Sequence, residues 1–169
     1  MNLIAAVDEC WAIGINNELL YNIPLDKAFF KQKTIEKTVI MGKNTYLSLP
    51  NSKPFPNRKN IILSTALQNV GCVCCKSMEE IKSTVKDIDT DEIFIIGGEK
   101  VYNEFLPYCE FAYLTKILKK TQLANKFFPN LDSNSHWKLI EKGEVQQYGH
   151  ILFRICIYHN EKRKDFYEL

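Results

Sequence analysis

The chain has 169 residues, of which 46% are hydrophobic and 25% are charged, and this is the length and composition of one globular domain. These proportions exclude collagen-like, low-complexity and intrinsically disordered proteins. The 22 basic and 20 acidic residues leave a net charge of +2 and are scattered along the chain, which argues against nucleic acid or an anionic membrane as partner. We therefore expect a small-molecule ligand.

The first residues predict neither a secretory signal nor a membrane anchor. Five apolar residues precede Asp8 with no basic segment before them, too few for a signal peptide or a spanning helix. We therefore expect a cytoplasmic protein. The six cysteines do not form two C-x-x-C pairs, so we expect buried free thiols and no metal site.

Six apolar runs of strand length predict a β-sheet. Most are continuous rather than alternating, which is typical of strands buried on both faces of a parallel sheet. In chain order they are residues 3–7, 38–41, 60–64, 72–75, 92–96 and 111–118. Amphipathic stretches that predict helices lie between them, at residues 26–37, 44–49, 77–86 and 99–108. This alternation of strand and helix predicts the α/β class.

The C-terminal part of the chain predicts an antiparallel end to the sheet. Residues 137–145 and 150–160 alternate partly between apolar and polar, and residues 146–149 are predicted to join them as a hairpin loop. The charged residues 161–169 predict a frayed or loosely docked tail after a domain of residues 1–160.

Three predicted strand ends carry residues suited to holding an anion, and ligands of α/β sheets bind beyond such ends. The residues that follow them are Gly42, Lys43, Asn44 and Thr45; Ser64 and Thr65; and Gly97, Gly98, Glu99 and Lys100. Glycine lets a ligand approach the backbone, the next helix start offers free N–H groups, and lysine adds a cation. Turn geometry alone is the alternative at each single junction, whereas the three together predict a phosphate-binding region. Neither G-x-G-x-x-G nor a P-loop is present, so any dinucleotide is held differently.

Two polar residues in apolar surroundings are candidate site residues. Asp26 follows Pro24 in the first turn of a predicted helix, and Phe30 lies four residues on, on the same face. This spacing predicts a carboxylate beside an aromatic wall, although stabilisation of the helix start also explains an acid here. Thr115 interrupts an apolar strand, and its hydroxyl needs a partner if buried, for which the backbone is the simplest choice.

A series of segments from Leu3 to about Asn160 resembles the dihydrofolate reductase family. They are LIAAV (3–7), AIG (12–14), NIPLDKAFFK (22–31), TVIMGKNTYLSL (38–49), PNRKNIILST (56–65), EIFIIGGEKVYNEFLP (92–107), YLTKI (113–117) and FFP (127–129). The resemblance implies a single domain with a twisted, mostly parallel eight-stranded sheet, an antiparallel C-terminal strand and flanking helices. It implies NADPH-dependent reduction of 7,8-dihydrofolate to 5,6,7,8-tetrahydrofolate, with hydride transfer to pterin C6 and protonation at N5. It also implies a monomeric enzyme of one-carbon metabolism that binds antifolate inhibitors.

The resemblance assigns substrate-binding and catalytic roles by position. Asp26 is the implied pterin-binding carboxylate, Thr115 its hydroxyl partner, and Phe30 the ring beside the pterin and benzoyl groups. Arg58 is implied to hold the glutamate carboxylate of the substrate, which suits a planar, bidentate guanidinium. Tyr21 completes the implied catalytic set with Asp26 and Thr115. The other implied substrate contacts are the Ile4 and Ile96 carbonyls, Lys27, Leu49 and Phe55.

The resemblance likewise assigns residues to NADPH. Around the nicotinamide they are Ala6, Ile13 and Gly14. Around the pyrophosphate they are residues 42–45 and 97–102, which include Gly42, Lys43, Asn44, Thr45, Gly97, Gly98, Lys100, Val101 and Tyr102. Further cofactor residues are Leu63, Ser64, Thr65 and Lys76, and the 2′-phosphate is assigned to Lys43, Thr65 and Lys100. The family often has arginine where this chain has Lys43 and Lys100, so the charge is kept and the bidentate fork is lost.

Two positions near the implied substrate depart from the family pattern. Leu20 and Tyr21 replace the usual Pro-Trp pair, so a phenol O–H stands where an indole N–H commonly fixes an active-site water. Lys27 replaces a usually apolar residue and points either to the glutamate tail of the substrate or to solvent.

A third departure concerns the loop of residues 13–24, which covers the nicotinamide in the family. Residues 119–126 lack the acidic side chains that commonly hold this loop. We expect a replacement from Tyr21, from Asn22, or from Glu18 paired with a lysine of that segment.

Two other functions stay open on the sequence alone. A related nicotinamide-dependent reductase of another pterin or pyrimidine keeps Gly97 and Gly98 but does not need Asp26, Phe30 and Arg58 together. A non-catalytic binding module is expected to lack Asp26 or to show a broken cofactor region.

Overall fold

Strands and helices alternate along the chain in the computed structural model, which describes residues 1–16, 18–68 and 70–168. Asn17 of the predicted loop and Leu169 of the predicted tail lie outside the described residues. The helices are α1 (Pro24–Thr34), α2 (Lys43–Ser48), α3 (Met78–Val85) and α4 (Glu99–Phe105). The strands are β1 (Asn2–Val7), β2 (Ala12–Ile15), β3 (Glu18–Leu19), β4 (Thr38–Gly42), β5 (Lys59–Leu63), β6 (Val73–Cys75), β7 (Ile93–Gly97), β8 (Phe111–Ile117), β9 (Lys126–Phe127), β10 (Trp137–Lys142), β11 (Gln146–Tyr148) and β12 (Ile151–Asn160). This order confirms the predicted α/β class.

One large sheet organises the molecule. Eight strands follow the order β10-β12-β8-β1-β7-β4-β5-β6, and β11 adds a ninth by pairing with β12. The neighbours from β8 to β6 are parallel, whereas β12 runs antiparallel to β8. The predicted mostly parallel sheet with an antiparallel C-terminal strand is therefore confirmed. A small second sheet has the order β3-β2-β9.

Helices cover both faces of the large sheet, which explains why its central strands are continuously apolar. All five residues of β7 are buried. On one face Phe30 of α1 and Tyr46 of α2 pack against the sheet, and on the other Ile81 of α3 and Phe105 of α4 do so. Among the described residues, no helix combines the length and the apolar character needed to span a bilayer.

The C-terminal hairpin differs in detail from the prediction. Residues 146–148 belong to strand β11 rather than to the predicted loop, and the chain reverses at Gly149 and His150. Gly149 has a φ of 59°, a left-handed conformation that glycine adopts without steric strain. The loop is shorter than predicted because this glycine permits a two-residue turn.

The cysteines are all free, and three of the six are buried as predicted. The prediction of burial is wrong for Cys10, which is exposed in the turn between β1 and β2, and Cys72 and Cys74 are half-buried. The sequence pattern does not distinguish a cysteine in a turn from one in a strand, so it does not predict that Cys10 is exposed.

The C-terminal segment docks on the domain through an aromatic residue instead of fraying. Phe166 is 3% exposed, and its ring centroid lies 5.8 Å from that of Phe105 and 5.3 Å from that of Tyr108. The Tyr167 hydroxyl donates a 3.0 Å hydrogen bond to the Val85 carbonyl of α3. Burial of one ring therefore outweighs the charge on which the expected fraying was based.

Replacing Phe166 with alanine is expected to lower the free energy of unfolding by about 3 kcal/mol, because a buried aromatic side chain is lost. Urea unfolding followed by circular dichroism measures the change. The control is Glu168→Ala, which removes an exposed side chain of the same segment and is expected to stay within about 0.5 kcal/mol of the parent. Equal unfolding free energies for the two variants contradict docking through Phe166.

Candidate active site

Asp26 and Thr115 meet between α1 and β8. Helix α1 begins at Pro24, whose fixed φ suits the first turn and whose missing N–H is not needed there. Asp26 thereby lies in the first turn, and its Oδ1 accepts a 2.6 Å hydrogen bond from the Thr115 hydroxyl. Thr115 is 1% exposed, so this bond satisfies a hydroxyl that water does not reach. Its partner is the carboxylate and not the backbone, as the resemblance implies.

Burial governs the protonation of Asp26. Loss of hydration raises the pKa of its carboxyl group, while the Thr115 hydrogen bond and the positive charge of Lys27 act in the opposite direction. The first effect is the largest, and the net shift of this pKa is upward. The Lys27 side chain is itself exposed to solvent, which is one of the two orientations considered from the sequence.

Phe30 lies on the same face of α1 as Asp26 and packs against a second aromatic ring. Its ring centroid lies 5.2 Å from that of Phe55, and both rings pack in one apolar cluster with Leu49. The guanidinium carbon of Arg58 lies 5.2 Å from the Phe55 centroid and 5.9 Å from the Phe30 centroid. The fold therefore brings together the residues assigned to the benzoyl and glutamate groups.

Two hydrogen bonds hold Arg58 in this position. Its Nε donates a 2.9 Å hydrogen bond to the Thr34 hydroxyl oxygen, and its Nη1 donates a 2.9 Å hydrogen bond to the Pro56 carbonyl. Thr34 in turn donates 2.8 Å to the Phe30 carbonyl, which ties the guanidinium to α1. These bonds use part of the five N–H donors of a guanidinium. Thr34 was missed from the sequence, since only the fold places residue 34 beside residue 58.

Strand β1 lies beside β8 and adds residues next to Thr115. Ala6 is the register partner of Thr115, and Ile4 lies two residues earlier on the same strand. Ile4 and Ile96 belong to one apolar cluster. The Ile4 carbonyl accepts a 2.8 Å hydrogen bond from the hydroxyl of Tyr102, a contact that the sequence did not predict.

The resemblance assigns Tyr102 to the pyrophosphate region, and the structure shows that its phenol side chain is buried. Burial raises the pKa of its hydroxyl, and the negative charge of Asp26 raises it further. The hydroxyl therefore stays protonated and acts as a donor. A signal was present in the sequence, because Tyr102 lies on the apolar face of a helix that starts at a strand end.

Three glycines bring the carboxyl ends of β4 and β7 together. A Cβ on Gly42 would lie 3.1 Å from Val101 Cγ2 and 3.8 Å from the Gly97 carbonyl oxygen. A Cβ on Gly98 would lie 3.4 Å from the Thr45 hydroxyl oxygen, and Gly97 has a φ of 116°. Side chains at these positions would fill the space between two helix starts, which is where the sequence predicts an anion.

The two helix starts at this junction keep hydrogen-bonding capacity. Helix α2 begins directly after Gly42 and α4 directly after Gly98, and neither start has a side-chain cap. Their first-turn N–H groups are therefore suited to an anionic oxygen.

Exposed cationic and hydroxyl side chains follow neighbouring strands of the sheet. Lys43, Thr65 and Lys76 come after β4, β5 and β6, respectively. Lys100 lies on α4 beyond β7, and its ammonium nitrogen is 3.9 Å from a carboxylate oxygen of Glu104 in an exposed pair. The other assigned residues at these strand ends are Asn44, Leu63, Ser64 and Val101. The structure thus gathers the predicted cofactor cations along one edge.

Neutral hydrogen bonds hold the loop predicted to cover the nicotinamide. Strand β2 pairs with β9, which places Gly14 opposite Lys126, and Ile13 packs on the core. The backbone N–H of Asn16 donates a 3.2 Å hydrogen bond to Asn125 Oδ1. In return, Asn125 Nδ2 donates a 3.2 Å hydrogen bond to Asn16 Oδ1. An amide pair therefore stands where the family commonly uses acidic side chains.

Tyr21 makes the second contact of this loop. Its hydroxyl oxygen lies 2.9 Å from the hydroxyl oxygen of Thr121, within the 119–126 segment. The expected hydrogen bond from Tyr21 is therefore confirmed. Within the part of the chain that the structure describes, Glu18 forms no ion pair and the Asn22 side chain makes no such bond, so those two expectations are wrong. Glu18 lies exposed on β3.

The Asp26–Thr115 pair and the glycine junction lie at the carboxyl ends of the parallel strands, which is where α/β proteins bind small molecules. The family model for dihydrofolate reductase matches residues 1–160. Relatives named dihydrofolate reductase include that of Bacillus subtilis, 34% identical over 142 residues that cover 83% of this chain and 81% of the relative. The relative from Haemophilus influenzae is 38% identical over 133 residues, which cover 78% of this chain and 79% of the relative. The relative from Drosophila melanogaster is 36% identical over 143 residues, which cover 76% of this chain and 78% of the relative.

The chain belongs to the dihydrofolate reductase family. It is therefore an oxidoreductase, of a family that reduces dihydrofolate with a nicotinamide nucleotide. This confirms the resemblance seen in the sequence.

Asp26→Asn is expected to raise the melting temperature near pH 8. Because the folded-state pKa of Asp26 lies above its unfolded value, its contribution to stability is complete below the unfolded pKa and is lost as pH rises through the folded pKa. A neutral amide avoids this loss, so the advantage of the variant is expected to shrink as the pH falls toward 4. Scanning calorimetry across this range measures it. A variant that is less stable than the parent at pH 8 contradicts the upward shift.

Proposed function

We propose that this protein reduces 7,8-dihydrofolate to 5,6,7,8-tetrahydrofolate with NADPH, and that residues 1–160 form the catalytic domain and residues 161–169 a tail. The observation that carries the proposal is the 2.6 Å hydrogen bond between the partly buried Asp26 carboxylate and the buried Thr115 hydroxyl. A carboxylate in such surroundings is stabilised by a ligand that supplies N–H groups. The same chain contributes every assigned residue, so a monomer suffices, and antifolate inhibitors are proposed to bind the same site.

Asp26 binds and orients the pterin in this proposal. Its carboxylate accepts hydrogen bonds from the N3 and 2-amino groups, Thr115 fixes the carboxylate, and Phe30 stacks beside the ring. A bound NADPH supplies the hydride that reaches pterin C6. The Asp26 charge favours the cation that develops on the pterin, in a site of low dielectric. Since Asp26 binds the edge of the ring remote from N5, a water entering beneath the 13–24 loop delivers the proton to N5.

The aromatic wall and Arg58 bind the rest of the substrate. Phe30, Phe55 and Leu49 line the benzoyl group, and the remaining N–H donors of Arg58 bind the glutamate carboxylate. Support comes from the two hydrogen bonds that already orient the guanidinium, because a preorganised fork loses little entropy on binding a carboxylate.

The residues at the glycine junction fit a dinucleotide. Gly42, Gly97 and Gly98 leave room that a Cβ would fill, and the uncapped starts of α2 and α4 offer N–H groups to the pyrophosphate. Lys43 and Lys100 supply cations for a 2′-phosphate, which is the group that distinguishes NADPH from NADH. Ala6, Gly14 and their neighbours frame the nicotinamide beside Thr115.

Asp26→Asn is expected to keep cofactor binding and to lower turnover at pH 7 by about two orders of magnitude or more, because the charge that favours the pterin cation is lost. Partial recovery is expected in acid, where the substrate arrives protonated. Steady-state rates of dihydrofolate-dependent NADPH oxidation between pH 5 and 8 measure this. A variant with near-parental turnover at pH 7 contradicts the assignment of Asp26.

Replacing Lys43 and Lys100 with alanine is expected to raise the dissociation constant for NADPH about tenfold or more, because two cations facing the 2′-phosphate are lost. The dissociation constant for NADH is expected to change far less. Fluorescence titration with each cofactor measures both constants. Lys86→Ala, an exposed lysine after α3, is the control. Equal losses for NADPH and NADH contradict the assignment.

A further inference from the structure

Asp8 is a fully buried carboxylate that takes no part in the proposed reaction. It follows β1, and its Oδ1 accepts hydrogen bonds of 2.8 and 2.9 Å from the N–H groups of Cys10 and Ala12. Its Oδ2 accepts a 2.8 Å hydrogen bond from the N–H of Thr121, a residue 113 positions further along the chain. A buried carboxylate needs several such donors, so the two oxygens tie two distant segments together.

Thr121 extends this constraint from Asp8 to Tyr21. Its N–H is held by Asp8, and its hydroxyl oxygen lies 2.9 Å from that of Tyr21. A backbone hydrogen bond of 3.0 Å from the Glu9 N–H to the Lys119 carbonyl joins the same two segments alongside. The position of the Tyr21 hydroxyl therefore depends, through one threonine, on a carboxylate at the end of β1.

Asp8 is linked to the 13–24 loop, which is proposed to cover the nicotinamide, near both of its ends. Oδ1 of Asp8 holds the turn that leads into β2, at one end of the loop. Oδ2 acts through Thr121 on Tyr21, which lies three residues before α1 begins at Pro24. One carboxylate thus constrains both ends of the loop and the approach to the helix that carries Asp26.

We infer that Asp8 is a positioning residue that acts through Thr121 and Tyr21 to hold the 13–24 loop in place during hydride transfer. The inference rests on the proposed function, because it needs a nicotinamide beneath the loop. Loop closure excludes water and sets the distance between hydride donor and acceptor, to which transfer rates are steeply sensitive. The relay consists of hydrogen bonds only, which explains how the loop is held without the acidic side chains common in the family.

Single-turnover reduction of dihydrofolate, followed by loss of NADPH absorbance, tests the relay in the full-length protein. Tyr21→Phe and Thr121→Val each remove the hydrogen bond between the two hydroxyls and are each expected to slow hydride transfer about tenfold. The double variant that combines Tyr21→Phe with Thr121→Val is expected to be no slower than either single variant, because both changes remove the same hydrogen bond. Thr121→Ser keeps the hydroxyl and is expected to restore the parental rate.

Asp8→Asn exchanges a carboxylate oxygen for an amide nitrogen, which does not accept a hydrogen bond from a backbone N–H. It is expected to slow hydride transfer as much as Thr121→Val does, and adding Tyr21→Phe is expected to cause no further loss. The dissociation constant for dihydrofolate is expected to stay within about twofold of the parent in every variant, which separates positioning of the loop from general damage to the site. If Asp8→Asn does not fold, the Thr121 and Tyr21 variants decide the question.

Tyr167→Phe is the matched control, because it removes a 3.0 Å tyrosine hydrogen bond to Val85 of α3, outside the loop. It is expected to keep the parental hydride-transfer rate. A parental rate in Thr121→Val, or losses that multiply in the double variant, would overturn the relay. If the parent shows no dihydrofolate-dependent oxidation of NADPH, the proposed function fails instead, so the two failures are distinguishable.

Discussion

The structure depends on one constraint, that neighbouring parallel strands end at the same edge of the sheet. Parallel strands need crossover connections, and β4, β6 and β7 each lead into a helix at that edge. Gly42 and Gly98 close the gap between two such ends, and Thr115 and Ala6 lie side by side on two others. Residues that are far apart in the chain therefore reach one site without any long loop.

Two aspartates, one fully and one partly buried, differ in how far the protein itself satisfies their carboxylate oxygens. Asp8 accepts three backbone N–H bonds, which use both of its oxygens and tie two segments together. Asp26 accepts one bond, from Thr115, and burial raises the pKa of its carboxyl group. Its remaining lone pairs keep acceptor capacity that, in the proposed function, a substrate rich in N–H groups fills. The acid that is less well satisfied by the protein is the one suited to a ligand.

The direct contacts between the 13–24 loop and residues 119–126 are neutral hydrogen bonds. Asn16 and Asn125 exchange two amide hydrogen bonds, and Tyr21 meets Thr121 through hydroxyl groups. Each such bond contributes about 1 kcal/mol, so several together hold the loop against the neighbouring segment. The same residue, Tyr21, replaces the family's usual tryptophan, and its longer polar reach allows it to bond the neighbouring segment.

The sequence by itself determined the α/β class, most strands and helices of the large sheet to within a few residues, the glycine junctions, and the placement of Phe30 on the face of Asp26, because periodicity and local motifs report on nearest neighbours along the chain. The assignment of Arg58 came from the family resemblance alone, and the short strands β2, β3 and β9 were not predicted. The tertiary structure alone decided the partners. It placed Thr34 against Arg58, the Tyr102 hydroxyl on the Ile4 carbonyl, and Thr121 between Asp8 and Tyr21. It also showed that burial of Phe166 docks the segment that the sequence predicts to be frayed or loosely docked. Such contacts join residues tens of positions apart, and no local pattern encodes a hydrogen bond whose two ends meet only when the sheet has formed.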